Sequence, residues 1–353
     1  MRLGLFGLAT VAMRPWVRWG AMLSDWPQAD LLARNATGGM INVFSKPSAG
    51  STLLKSVYED TVFVWLREVV GEAPPGRISR RWVETPEGYV YAPDVQPVRN
   101  QPNKPVSSLR QTSIGQGMWA EVTVPYVDLA LANPPARSPW LQNVPRPRLY
   151  YSQVMWIDNV QTNDTGGLRY HVQDRYGYGD EFWAAAEAFR PLTEEDLAPI
   201  HPDVKDKRIV VDSDYQTLSA YENGQEVYFC RVSTGGKYDS AGNPTDKYAT
   251  PVGDHMIWRK LITVHMSGGT TGAGYDTPGV SWTTLFSGEG IAVHSTFWHN
   301  DFGVPRSHGC VNVTPEDAKW VFRWSYPQVA YDPGELSVQW PNGMPVKVVE
   351  RSA

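Results

Sequence analysis

The sequence predicts a mainly β protein made of several small units, and three observations predict it. Glycine (31) and proline (28) punctuate a chain of 353 residues, and tryptophan (15) and tyrosine (17) are abundant. That mixture favours many short strands joined by turns over long helices. The length exceeds one small domain, so two or three are expected. Between the turns, apolar residues recur mostly at period two. The net charge of −5 is mild and no basic stripe is present, which excludes nucleic acid as a partner.

Taken in order, residues 1–35 form an N-terminal segment whose run Leu3–Met13 is apolar but too short to cross a bilayer. It reads either as the apolar part of an export signal or as an ordinary N-terminal helix. Residues 36–99 read as a small β unit. Ile41-Asn42-Val43 leads into the turn Ser45-Lys46-Pro47, and Val62–Val70 is β-branched. Trp82-Val83 and Gly88–Tyr91 are joined by Thr85-Pro86-Glu87-Gly88. This stretch resembles bacterial SH3-like domains, with Phe44 where their pattern has arginine. Residues 100–116, rich in Asn, Pro and Ser, read as a linker.

Residues 117–192 form a second β-rich stretch around Trp119, Val122, Val124 and Tyr126, then Leu168, Tyr170 and Val172, then Phe182-Trp183. It reads as a further SH3-like or barrel unit whose aromatics either fill the core or stack on sugars. Thr193-Glu194-Glu195-Asp196 has the pattern of a capped short helix, ended by Pro199 and Pro202. From Lys207 to Arg351 no linker appears, so 207–351 is one domain. It opens with a hairpin at Asn223-Gly224, since both residues tolerate positive φ.

The chemistry gathers late. His294, His299, His308 and Cys310 fall within seventeen residues of a chain with only seven histidines. Cys230 lies in the apolar run Val227–Val232 and reads as a small buried residue, whereas Cys310 follows Ser307-His308-Gly309 on a loop. Just beyond it, Thr314-Pro315-Glu316-Asp317 is a strong helix start: a threonine cap, proline at the first position and acids in the first turn. Ala318, Val321 and Phe322 then share one helix face. Amides of such a loop suit an oxyanion, each good donor contributing roughly 3 kcal/mol. A thiol needs a base, and His294 ends the apolar run Gly290–Val293, where a strand would hold it rigidly.

The run His294-Ser295 … Ser307-His308-Gly309-Cys310-Val311-Asn312 resembles the signature of the L,D-transpeptidases, the YkuD family. The likeness extends over 207–351 through Ser233-Thr234-Gly235 and Thr250-Pro251-Val252-Gly253. It implies a β-sandwich-type catalytic domain with a short helix after the catalytic cysteine. Cys310 would be the nucleophile toward the third residue of a donor tetrapeptide stem of peptidoglycan, releasing D-alanine. An amine of a neighbouring stem would resolve the thioester, giving a 3→3 cross-link. His294 would be the base, oriented by a backbone carbonyl such as that of Ser295. His308 and Gly309 would line the oxyanion region with the Cys310 amide, and Ser307 and Asn312 would hold the loop. Arg306 would either meet a substrate carboxylate or be a solvated surface residue. Tyr275 and Trp282 would either form a substrate lid or simply pack. Carbapenems are implied as inhibitors, and an exported, cell-envelope location follows from the substrate. No metal or other cofactor is required.

One departure is a spacer, residues 295–306, shorter than the commonest form, which leaves His299 available as an alternative base. The four clustered residues also admit a zinc site, though their spacing fits no common zinc motif. Water in place of the amine would make an L,D-carboxypeptidase, and a protein amine would make a wall-anchoring enzyme. A non-catalytic wall-binding protein is the remaining alternative.

Overall fold

A computed structural model describes residues 26–164, 166–237, 243–269 and 274–350; the expectation for Leu3–Met13 lies outside them. The fold is mainly β, with a single α-helix among the described residues. The N-terminal unit has a five-stranded antiparallel sheet containing Ile41–Phe44, Arg81–Thr85 and Gly88–Tyr91. A three-stranded sheet is centred on Leu32–Asn35. Ala33, Val43, Val83, Val90 and Val95 pack into one core between the two sheets. The unit therefore starts at its buried strand Leu32–Asn35, ahead of residue 36. The run Val62–Val70 divides into Val62–Val64 and Arg67–Val70, one in each sheet.

The middle unit is a seven-stranded antiparallel sheet with a separate two-stranded ribbon, Tyr126–Asp128 with Arg148–Tyr150. Tyr170, Phe182 and Phe189 are buried in its own core, and Trp119 and Trp156 in the core it shares with the C-terminal unit. The expected linker 100–116 is in part a strand, because Arg110–Thr112 pairs with Gly115–Gly117. The capped turn at Thr193 is a 3₁₀ helix, Glu194–Leu197, with the Thr193 amide donating to the Asp196 carboxylate at 2.9 Å.

The C-terminal unit packs two five-stranded sheets and helix α1, Pro315–Trp324, around one core. One sheet holds Lys207–Asp212, Thr217–Glu222 and Gln225–Arg231. The Asn223-Gly224 turn between the last two has φ of 49° and 81°, the left-handed pair a two-residue hairpin requires. The other sheet holds Arg259–Gly268, Tyr275–Leu285, Ala292–Ser295 and Val311–Val313. Ile209, Val211 and Val348 of the first sheet, Ile262, Val293 and Val313 of the second, and Val321 and Phe322 of α1 share that core.

Helix α1 follows the cysteine loop after the short strand Val311–Val313, and both its ends are fixed. At the start, Thr314 Oγ1 accepts from the Asp317 amide at 3.2 Å. At the far end Lys260, wholly buried, donates to the carbonyls of Phe322 (2.5 Å), Ser325 (2.7 Å) and Pro327 (2.8 Å). Lys207 adds bonds to Ile200 and Trp324 carbonyls at 2.8 and 2.9 Å. Cationic donors at a helix C-terminus meet the negative end of its dipole and its unpaired carbonyls. Burial pushes the Lys260 pKa well down. Lys260→Met keeps most of the side-chain volume but strands two buried acceptors and one half-buried one. It is expected to destabilise the fold by about 3–5 kcal/mol, read as a lowered denaturant midpoint; an unchanged midpoint would refute the capping role.

Candidate active site

The parallel pairing of Ala292–Ser295 with Val311–Val313 organises the site. Its register sets Val293 beside Val311 and His294 beside Asn312. Cys310 precedes that strand by one residue and so stands level with Ala292. Alternation then puts Cys310, Asn312, Ala292 and His294 on one face, with the thiol and imidazole diagonal neighbours. Both line a cavity of about 320 Å³, together with Tyr275, His299, Arg306, Ser307, His308 and Asn312. Trp298, Thr277, Met266 and Val280 complete its wall.

His294 is 2% exposed, and its Nδ1 lies 2.9 Å from the Ser295 carbonyl. A carbonyl only accepts, so Nδ1 carries the proton and Nε2 keeps its lone pair. Burial holds the His294 pKa down at about 4, partly countered by that hydrogen bond. Cys310 is half-buried, and burial pushes its thiol up to about 11 against an opposing hydrogen bond from the Ala292 backbone. Both groups are therefore neutral at rest near pH 7.

His299 is placed differently. The Asp301 amide donates to its Nδ1 at 3.1 Å, and the Asn312 side-chain amide lies 3.1 Å from its Nε2. With Nδ1 accepting, a neutral ring must donate from Nε2. The Asn312 amide then presents its oxygen, which is otherwise a buried acceptor without a partner. Burial, with Arg306 nearby, lowers the His299 pKa to about 3. Its lone pair is occupied, so His299 acts as a strut beneath Asn312, and His294 is the histidine with a nitrogen to spare.

The cysteine loop is tied at Ser307, Gly309 and the Cys310 carbonyl. Ser307 Oγ donates to the Cys310 carbonyl at 2.5 Å and accepts from the Gly309 amide at 3.1 Å. Thr250 Oγ1 donates to the Gly309 carbonyl at 2.7 Å and accepts from the Gly235 amide at 2.9 Å. Gly309 has φ of 117°, a left-handed conformation that favours glycine, while a Cβ there would meet only the movable tip of the Ile291 side chain. The Gly309 amide, expected to line the oxyanion region, is thus committed to Ser307, which leaves the amides of His308 and Cys310. The exposed His308 ring packs between Tyr248 and Tyr275, with centroids at 4.5 and 5.1 Å. Tyr275 stands at the cavity rim. Trp282 does not: it is 1% exposed and packs edge-on against Phe322 in the core, so it is no lid. Arg306 is exposed and reaches Asp301 at 3.2 Å.

Three units converge on the loop that follows His294. Arg34, buried in the N-terminal unit, donates to the Phe297 carbonyl at 2.8 Å and pairs with Asp60 at 2.7 Å. Asp60 also meets Arg148 of the middle unit at 2.6 Å, while Phe297 stacks on Tyr150. The Asn300 amide donates to the Pro93 carbonyl, and Arg81 donates to the Asn300 carbonyl. None of these long-range partners is visible in the local pattern, and neither is Trp298; Thr250 lies in a segment that carries the resemblance, but its bond to Gly309 is not visible there. Among the described residues, no three His, Cys, Asp or Glu side chains converge as metal ligands.

Residues 206–348 match the family model of the L,D-transpeptidase catalytic domain (YkuD). A probable L,D-transpeptidase 3 of Mycobacterium tuberculosis H37Rv is 32% identical over 90 residues, 24% of this chain and 32% of that protein. L,D-transpeptidase 2 of M. tuberculosis CDC 1551 is 27% identical over 140 residues, 36% of this chain and 31% of that protein. The chain thus spans about a third of the length of the curated relatives it matches. Among solved structures, an L,D-transpeptidase from Mycobacterium smegmatis is 22% identical, with a TM-score of 0.32, over 54% of this chain and 81% of that one.

Proposed function

We propose that the chain, whose residues 206–348 carry the L,D-transpeptidase catalytic domain, is an exported acyltransferase that cross-links peptidoglycan stem peptides through Cys310. The observation that carries the mechanism is the register placing the Cys310 thiol and the spare His294 nitrogen on one face of one cavity. In the first half-reaction Sγ attacks the carbonyl of the third residue of a donor tetrapeptide. Nε2 of His294 takes the thiol proton as the bond forms. The amides of Cys310 and His308 face the developing oxyanion. Collapse of that intermediate breaks the peptide bond, and the His294 proton passes to the leaving nitrogen of D-alanine. In the second half-reaction an amine of a neighbouring stem attacks the thioester. It loses its proton through His294, and the thiol is returned with a 3→3 link made. This chemistry uses no metal or organic cofactor. A carbapenem offers a strained carbonyl to the same sulfur and is expected to acylate it. The N-terminal unit, read as SH3-like, places the catalytic domain on the wall.

The test is mass spectrometry of products from reduced protein and a tetrapeptide-bearing muropeptide. A 3→3 dimer with one D-alanine released, both absent with Cys310→Ala, is the expected result. Tripeptide and D-alanine without dimer would replace it by a carboxypeptidase. Absence of both turnover and a carbapenem adduct would refute the enzyme reading.

A further inference from the structure

The thiol cavity is lined wholly by the C-terminal unit, from Met266 to Asn312. Two larger cavities, of about 790 and 1190 Å³, share Arg306 with it, and in both the opposing wall is the N-terminal unit, which contributes Arg77. The larger one runs past Tyr248, Ser307 and His308 to the loop that carries Cys310. Its described lining holds four cations, Arg77, Lys237, Lys247 and Arg306, against two carboxylates, Asp214 and Asp301. Asp94 and Glu350 pair with Arg77 and Lys237 from just outside that lining, so the charges balance in number, but Arg77 and Arg306 keep part of their surface toward the cleft. Guanidinium donors left exposed on one wall suit an anionic group of a ligand.

The two arginines are held for that purpose. Asp301, its side chain 6% exposed, lies 3.2 Å from Arg306 Nη1 and 3.7 Å from Arg77 Nη2. One buried carboxylate is therefore shared by guanidinium groups of two different units. Arg77 is steadied further by Asp94 at 2.9 Å and by the Tyr91 ring, 4.7 Å below it. Their side chains remain 34% and 40% exposed. A guanidinium has five N–H donors in a fixed fork, and these contacts use only part of them.

We propose that Arg77 and Arg306 together bind a carboxylate of the stem peptide that reacts at Cys310, so that the N-terminal unit forms one wall of the substrate site. The inference rests on the transpeptidase reading and adds a specificity residue from outside the catalytic domain. Arg306 borders all three cavities, while Arg77 borders only the outer two. Arg77 therefore meets an extended peptide but not a small acylating agent confined to the thiol cavity.

The experiment compares a disaccharide-tetrapeptide with free carboxylates and the same compound with its non-scissile carboxylates amidated. Wild-type protein, Arg77→Gln and Arg77→Lys are assayed on both, and each protein's rate of acylation by a carbapenem is measured in parallel. Wild type is expected to favour the free carboxylate by about tenfold in kcat/KM, the scale of one charge-assisted pair. Arg77→Gln should lose that tenfold on the free form through KM, become indifferent to amidation, and keep its carbapenem acylation rate. Arg77→Lys should retain part of the preference. A wild type indifferent to amidation, or an Arg77→Gln that still discriminates, overturns the proposal. Slowed carbapenem acylation in Arg77→Gln overturns it too, because Arg77 would then act through Asp301 and the catalytic loop. Carbapenem acylation without turnover of either muropeptide would remove the transpeptidase reading itself, a result distinct from turnover without discrimination.

Discussion

Replacing His294 by alanine is expected to slow acylation of Cys310 by a carbapenem about 10³-fold at neutral pH, within the usual range for loss of a general base. The reason is the resting protonation of the pair. Burial raises the thiol to about 11 and lowers the imidazole to about 4, so the neutral pair is favoured over thiolate–imidazolium at rest. Almost no thiolate is present before substrate arrives, so proton transfer has to accompany attack. The base must be neutral to accept the proton. Because burial lowers the His294 pKa, the neutral form persists down to about pH 4 and is lost only below it. The acylation rate of the wild type should therefore be nearly flat from about pH 5 to 9 and fall as pH drops through 4. The alanine variant should instead rise tenfold per pH unit, since hydroxide alone would then generate the thiolate. A wild-type rate climbing through pH 6–8 would show that the pair titrates in the ordinary range and would refute the neutral resting state. His299→Ala should keep the flat profile, because its ring nitrogens already serve Asp301 and Asn312.

What could be read from the sequence was whatever local chemistry specifies. The threonine cap, proline and acids at residues 314–317 mark the start of α1, and Asn223-Gly224 marks a hairpin, because each signal is complete within a few residues. The gathering of histidines near Cys310 was legible for the same reason. Other features depend on partners far away in the chain. For Trp282 the sequence leaves two readings open, a substrate lid or ordinary packing. Its burial is decided by Phe322 on the helix 40 residues later. Gly309 was expected to offer its amide to substrate, and only the return of the Ser307 hydroxyl onto that amide shows it to be occupied. Lys260 carries no local sign of being a helix cap, since the carbonyls it satisfies lie more than 60 residues on. The meeting of Arg34, Asp60, Arg148 and Phe297 joins three units and has no local signature. Period and caps specify elements; the placement of a side chain among elements is set by packing.

A single carbapenem adduct per native chain, and none after Cys310→Ala, is the second large effect expected, although the chain has two cysteines. Cys230 is 6% exposed, packed in the core of the C-terminal unit among residues such as Leu218 and Val232. Burial, with Asp317 nearby, pushes its thiol far above the ordinary cysteine range. It has neither a paired base nor access, so it should stay unmodified in the native protein, and intact-mass spectrometry should record one added mass and no second. Cys310→Ser should be as inert as the alanine variant. An alcohol holds its proton more tightly than a thiol, and an imidazole already weakened to a pKa of about 4 is a poor base for removing it. After unfolding in guanidinium, both thiols should alkylate at comparable rates, because the difference between them belongs to the fold and not to the residue type. Native labelling of Cys230 alongside Cys310 would mean that the core opens on the assay timescale. An adduct surviving in Cys310→Ala would transfer the nucleophile's role to Cys230 and would overturn the assignment built on the Cys310–His294 register.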